Sequence, residues 1–171
     1  MVTCGARTRY SQRVTGDLIQ IVDAALAESA RKAGHWLACR PGCAECCMGP
    51  FPISPLDSQR LREGLAELQS QDPERAARVV GRARAWRDAE DEPCPALDPD
   101  TRTCDLYAAR PLTCRTFGPP VRCASGALAI CELCFDGAAE EEIAACIVDL
   151  DVETLDPTAA GETTVAEVFR N

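Results

Sequence analysis

The chain has 171 residues with 27 Asp and Glu against 18 Lys and Arg, a formal charge of −9, and 46% hydrophobic residues. That content supports one buried core and excludes a disordered tail, and an acidic chain without a Lys/Arg run repels phosphate backbones and anionic bilayers, so neither nucleic acid nor membrane is an expected partner. No apolar run approaches the roughly 18 residues of a membrane span, and residues 1–14 carry Arg7, Arg9 and Arg13 without a following apolar stretch, so the expected location is cytoplasmic.

In chain order, residues 1–12 lack periodicity and read as a loose terminus holding Cys4, a spare thiol. From Asp17, Leu18, Ile21, Val22, Ala25 and Leu26 recur at helical spacing, which predicts a helix to about Ala33, capped by Thr15 and stopped by Gly34. Residues 39–50 carry Cys39, Cys43, Cys46 and Cys47 among Pro41, Gly42, Gly49 and Pro50, which exclude regular structure. Ser54-Pro55 with Asp57 is a helix-start signal, and Leu61, Leu65 and Leu68 share one face of the helix that follows. Asp72-Pro73 repeats the signal, and Ala76, Val79, Val80, Ala83 and Trp86 mark a third helix ending near Glu90, forming an αα-hairpin with the second. Residues 93–134 are dense in proline and cysteine, and Asp98-Pro-Asp-Thr predicts a turn in a short irregular hairpin. Ile143, Cys146, Ile147 and Leu150 behind Glu140 to Glu142 predict a helix over 138–150, with Cys146 as a small buried hydrophobe. Beyond Asp151 the sequence reads as a polar tail with a short helix at 164–169.

The expected fold class is therefore mainly α. It is a small single domain of short helices and irregular cysteine loops organised around one or more metal centres, with at most a short β-hairpin. Its expected divisions are an N-terminal extension with one helix over 1–36, a cysteine-cluster metal-binding domain over 37–150 and the polar tail over 151–171.

Twelve cysteines in a reducing compartment point to metal or redox chemistry rather than a disulfide framework. Cys43 and Cys46 have the Cys-x-x-Cys spacing whose tight bend lets two sulfurs converge, and Cys39 and Cys47 put four sulfurs within nine positions. On extended backbone, successive side chains point to opposite faces, so Cys46 and Cys47 are expected to serve different metal positions. Cys94, Cys104 and Cys114 follow at ten-residue steps, and Cys131 and Cys134 form a second Cys-x-x-Cys turn. With His35 the sole imidazole, any tetrahedral centre is nearly all thiolate, which excludes His-bearing catalytic zinc sites.

Cys39-Arg-Pro-Gly-Cys43-x-x-Cys46-Cys47, Pro93-Cys94-Pro-x-Leu97-Asp98, Cys104-x-x-Tyr107, Arg110-Pro111-x-x-Cys114-Arg115-x-Phe117 and Glu132-Leu-Cys134 resemble the YkgJ-type cysteine-cluster proteins, named for the CxxCxxCC pattern. The resemblance implies a zinc- or iron-chelating domain of a kind often labelled an iron–sulfur oxidoreductase. It carries over eight ligand positions: Cys39, Cys43, Cys46, Cys47, Cys94, Cys104, Cys114 and Cys134. Cys4, Cys123, Cys131 and Cys146 lie outside that set, and Cys131 is balanced between ligand and spare thiol by its spacing to Cys134.

Arg110 and Arg115 stand beside Cys114, where their fixed donors are expected to bond thiolates or cluster sulfides and offset the charge of the centre, the alternatives being a surface pairing with Asp or Glu or recruitment of an anion. No Gly-rich phosphate loop, Ser–His–Asp constellation or HExxH helix is present, and the chain is too short for the barrel that radical chemistry on a three-cysteine cluster uses. Two main readings stand. One is an iron–sulfur protein, with [4Fe–4S] the favoured cofactor and a protein redox partner. The other is a closed structural zinc module that presents its acidic surface to an interaction partner. A thiol-redox or metal-handling protein is a third.

Overall fold

The computed structural model describes residues 5–123, 125–150 and 163–170. Cys4 and residues 151–162 of the tail lie outside them. The mainly α expectation holds: six helices are joined by cysteine loops and two-residue strands among the described residues.

The main core is built on α2 (Pro55–Gln71) and α3 (Pro73–Ala85). Both starts form as their sequences dictate. Ser54 Oγ accepts the Asp57 N–H at 3.1 Å, Asp72 Oδ1 accepts the Arg75 N–H at 2.9 Å, and a proline fills the first turn of each helix. Leu61, Val79 and Ala83 bury their side chains against Ala96, Leu106 and the helix α6 (Val165–Arg170). The polar-tail reading gave no sign of this packing: Val165, Val168 and Phe169 belong to the core, and Arg170 donates from Nε to the Ala83 carbonyl at 2.8 Å and from Nη2 to the Trp86 carbonyl. A cation there suits the carbonyl end of α3. Helix α3 stops at Ala85 rather than near Glu90, because Trp86 turns extended.

Helix α1 (Gly5–Ala33) begins before the expected start, so Thr15 lies within it rather than at its head. No proline interrupts residues 5–33, and the helix runs on through them. Leu18, Val22 and Leu26 pack on Leu112, Val121, Val148 and Leu150 as a second cluster. Beneath it, β2 (Val121–Arg122) pairs antiparallel with β3 (Leu128–Ala129) and parallel with β4 (Val148–Asp149). The helix expected over 138–150 is confined to α5 (Glu140–Ala144), because Val148 is drawn into the ladder beside Val121 and its N–H donates to the Pro120 carbonyl at 2.9 Å. Pairing with a distant strand overrides the local helical period. A second ladder joins β1 (Pro52–Ile53) to β5 (Thr163–Thr164). The predicted hairpin around Asp98 is present as a single antiparallel bridge, Leu97 to Cys104, turned by an Asp98 carboxylate that accepts the Asp100 and Thr101 N–H groups.

A third cluster gathers Ala33, Cys134, Phe135 and Cys146, and Cys146 sits there as the small hydrophobe its spacing suggested. Ser29 Oγ donates to the Cys146 carbonyl at 2.5 Å, and Trp36 Nε1 donates to Glu142 at 3.2 Å. These bonds fix the end of α1 against the last cysteine turn.

Gly64 of α2 faces the 3₁₀ turn Tyr107–Ala109, and a Cβ on residue 64 would lie 2.4 Å from the Ala109 Cβ. In an unhindered helix Gly→Ala stabilises by about 1 kcal/mol. Here Gly64→Ala is expected to destabilise by about 1–3 kcal/mol through overpacking, read from denaturant unfolding midpoints; an upward shift would show that the turn yields freely.

Candidate metal centre

Between the three clusters lies a cavity of about 690 Å³ whose wall includes the thiols of Cys39, Cys43, Cys46, Cys47, Cys94, Cys104 and Cys114. Four stretches distant in sequence deliver them. The Cys43 N–H donates to the Arg40 carbonyl at 2.9 Å to close the first turn, and Arg102 Nε pins that turn through the Gly42 carbonyl at 3.1 Å. Cys46 and Cys47 follow on the 3₁₀ turn Glu45–Cys47, and the Cys94 N–H donates to the Cys47 carbonyl at 2.7 Å, drawing the second segment alongside. Cys104 is held by its bridge to Leu97 and by the Asp105 N–H, which donates to the Ala96 carbonyl at 2.7 Å. Cys114 rides on α4 (Leu112–Arg115), whose first N–H, on Leu112, donates to both oxygens of the buried Asp57 carboxylate at 3.0 Å.

Three carboxylates thus rig the loops to the helices. Asp57 holds α4, and Asp105, its side chain fully buried, accepts from Arg75 Nε at 2.5 Å and from Arg82 Nη2. Asp23 of α1 accepts from Arg115 Nη1 at 2.6 and 2.7 Å. Sequence reading took Asp57 for a first-turn acid and passed over Asp23 and Asp105, since no local pattern distinguishes an acid that bonds 55 or 92 residues away.

Arg115 spends its donors inside the protein: besides Asp23, Nε donates to the Arg110 carbonyl at 3.2 Å and Nη2 to the Ala108 carbonyl at 2.7 Å. Arg110 is placed otherwise. Its guanidinium lies 3.9 Å over the Tyr107 ring, its Nε is buried without a hydrogen-bond partner, and its charge acts on Cys46 and Cys104. A buried donor without an acceptor is costly. A thiolate on the cavity wall would fit as its acceptor. His35 stacks beside Trp36 at 4.4 Å and is absent from the cavity wall.

The thiols burden one another. Burial pushes Cys94 up to about 12, and Cys114 is driven up by burial and then by Cys94, Cys46 and Cys104. Cys39 is pushed up to about 12 by burial and by Cys134, Cys43 and Cys131. Cys46 and Cys47 share one hydrogen bond that favours the Cys46 thiolate, bringing it down to about 6 with help from its own N–H and Arg110, while Cys47 is raised. The expectation that this vicinal pair diverges fails for a geometric reason: the segment is a 3₁₀ turn, not extended, so the two side chains do not point to opposite faces. Cys131 and Cys134 stand on their own turn, with the Cys134 N–H donating to the Cys131 carbonyl at 2.9 Å. So crowded a set ionises together only with a cation among the sulfurs, and the residues present fit a thiolate-bound metal. Among the described residues no three His, Cys, Asp or Glu side chains converge on one ion-sized point; the sulfurs ring a space instead.

Asp57→Ala removes the acceptor of the Leu112 N–H and is expected to cost about 1–3 kcal/mol, seen as a lower unfolding midpoint together with faster alkylation of Cys114. In metal-free protein at neutral pH, Cys46 is expected to alkylate ahead of Cys47, Cys94 and Cys114, and Arg110→Gln to slow it, because loss of the cation raises the Cys46 thiol. Peptide mass mapping after timed iodoacetamide exposure reads both effects.

No curated protein and no solved structure matches the chain. No helix among the described residues is long and apolar enough to cross a membrane. A family model, CxxCxxCC, described as "Putative zinc- or iron-chelating domain", matches residues 38–134, which hold the eight cysteines first singled out. That span is more than half of the chain, and the protein belongs to the CxxCxxCC family of metal-binding cysteine-cluster domains.

Proposed function

We propose that the protein is an iron–sulfur protein that carries electrons, its metal held by thiolates of Cys39, Cys43, Cys46, Cys47, Cys94, Cys104, Cys114 and Cys134. The observation that carries this reading is the cavity itself: about 690 Å³ of space ringed by seven cysteines, with the Arg110 Nε buried and unpartnered beside them. A mononuclear zinc site draws four sulfurs to about 2.3 Å from one point, whereas sulfurs spaced around a volume would suit a polynuclear centre. Bound there, an iron–sulfur cluster supplies one-electron redox chemistry whose potential follows charge, hydrogen bonds to sulfur and solvent exposure.

The chain's own residues do the rest. Arg110 donates toward sulfur and offsets negative charge. Arg115, engaged with Asp23 and two carbonyls, positions the strand of chain that carries Arg110 and Cys114. Leu97, Leu106 and Val165 line the cavity wall with apolar surface. The 63% exposure of Tyr107 and the exposure of Cys39 support an approach of a redox partner along this wall of the cavity.

A structural zinc module is the second reading, favoured by the second Cys-x-x-Cys turn, where Cys131 packs in the cluster of Cys134 and the Cys134 N–H donates to the Cys131 carbonyl at 2.9 Å. Protein purified without oxygen decides between them by metal and acid-labile sulfide content. Iron with equal sulfide is expected; zinc without sulfide would replace the electron-transfer reading with the structural one, and bare thiols would remove both. Cys114→Ser is expected to lose metal and thermal stability together, measured by elemental analysis and unfolding on one sample.

A further inference from the structure

We infer that the cavity of the cysteine cluster also takes a small organic carboxylate with an apolar body, held through its oxygens by Arg110. The inference deepens the reading proposed above, because the ligand lies in the same cavity as the thiolate-bound metal, but its contacts are made by residues that hold no metal.

A metal centre leaves space to spare. A tetrahedral ion with its sulfurs at about 2.3 Å fills a fraction of the cavity's 690 Å³ or so, a volume within the range of small-molecule sites. One wall has no part in holding metal: α1 contributes Leu26, Ala27 and Ala30, and its one charged side chain there, Asp23, is engaged by Arg115. Leu61, Leu106 and Val165 are buried around the same space, whereas Ala27, Arg40 and Tyr107 are exposed, so an apolar interior opens to solvent.

The charge of the lining runs against that of the chain. The protein carries −9 overall, yet the charged side chains on this wall are Arg40, Arg102, Arg110 and Arg115 against Asp23. Arg115 is taken up by Asp23 and two carbonyls, Arg102 reaches the Gly42 carbonyl, and Arg40 reaches the Ala38 carbonyl at 3.2 Å. Among the described residues, no acceptor takes a hydrogen bond from the Arg110 guanidinium. The Tyr107 ring, 3.9 Å away, holds its plane. Its Nε suits a thiolate, and the two terminal nitrogens form the edge onto which a carboxylate sets both oxygens. A fork already held in place costs little further ordering on binding. Phosphate would satisfy the fork and leave the apolar lining unfilled; an apolar chain ending in one carboxylate satisfies both.

The test uses full-length protein purified without oxygen, with metal content measured on the same sample, and isothermal titration with octanoate as the probe. Octanol, octylamine and inorganic phosphate are the comparisons. Octanoate is expected to bind once per chain and more tightly than any of them. Arg110→Gln is expected to weaken octanoate about tenfold or more while leaving octanol unchanged, a split that a merely structural role of Arg110 would not produce. Ala27→Phe combined with Ala30→Phe, which narrows the apolar wall and alters neither a cysteine nor Arg110, is expected to weaken octanoate and octanol alike. Metal-loaded wild type that fails to bind octanoate, phosphate that binds as tightly, an unchanged octanoate-to-octanol ratio in Arg110→Gln, or unchanged affinity in the double variant would each overturn the carboxylate site and leave the metal reading intact. Octanoate binding by protein that carries no metal would overturn the metal reading and keep the carboxylate site, and absence of both would remove both.

Discussion

Mutual repulsion among thiolates is the constraint on which this molecule turns. Cysteines from four distant stretches face one small volume, and each ionised sulfur raises the cost of ionising the next. Hydrophobic packing cannot relieve that cost. A metal cation can, and in doing so it converts an unfavourable crowd of acids into the strongest cross-link available to a chain of this length, with 5% aromatic residues. Metal affinity and folding are then one quantity seen from two sides.

A cavity of this kind needs walls that stand without its contents, and the protein supplies them with charged contacts in which one partner of each is buried. The helices α1, α2 and α3 send charged anchors into the loops: Asp23 to Arg115, Asp57 to the Leu112 N–H, and both Arg75 and Arg82 to Asp105. Such pairs gain little net stability from their attraction, since desolvation offsets it, but leaving one partner alone is costly. They therefore act on geometry. Each one allows a loop a single seat against its helix, and the cysteine beside it inherits that seat.

The parts of the fold legible in sequence are those governed by short-range chemistry. The Ser54-Pro55 and Asp72-Pro73 starts, the Asp98 turn and the burial of Cys146 each depend on residues within a few positions, and each forms as read. What escaped is long-range. Val148 carries a helical period until a distant strand claims it, Val165 and Phe169 look like tail until α2 and α3 offer a groove, and Cys46 with Cys47 look divergent until the turn type is known. The cysteines were visible as a set through their spacing. Their shared cavity was not, because stretches distant in sequence that meet in one wall leave no local trace, and neither do the carboxylates that seat them.

The pairing of β1 with β5 carries a consequence for the order of events in the cell. Ile53 lies five residues from Met48 and the first cysteine loop, yet its strand partner is Thr163, and the core that packs Cys94 and Cys104 is closed by Val165, Val168 and Phe169. A ribosome that has already released Cys39 to Cys47 has still to make this closing segment. The nascent cysteine loops therefore pass through a period with every thiol translated and one wall of the cavity missing, in which oxidation or capture of a foreign ion competes with correct loading. The cavity is therefore complete only once residues 163–170 are made and docked.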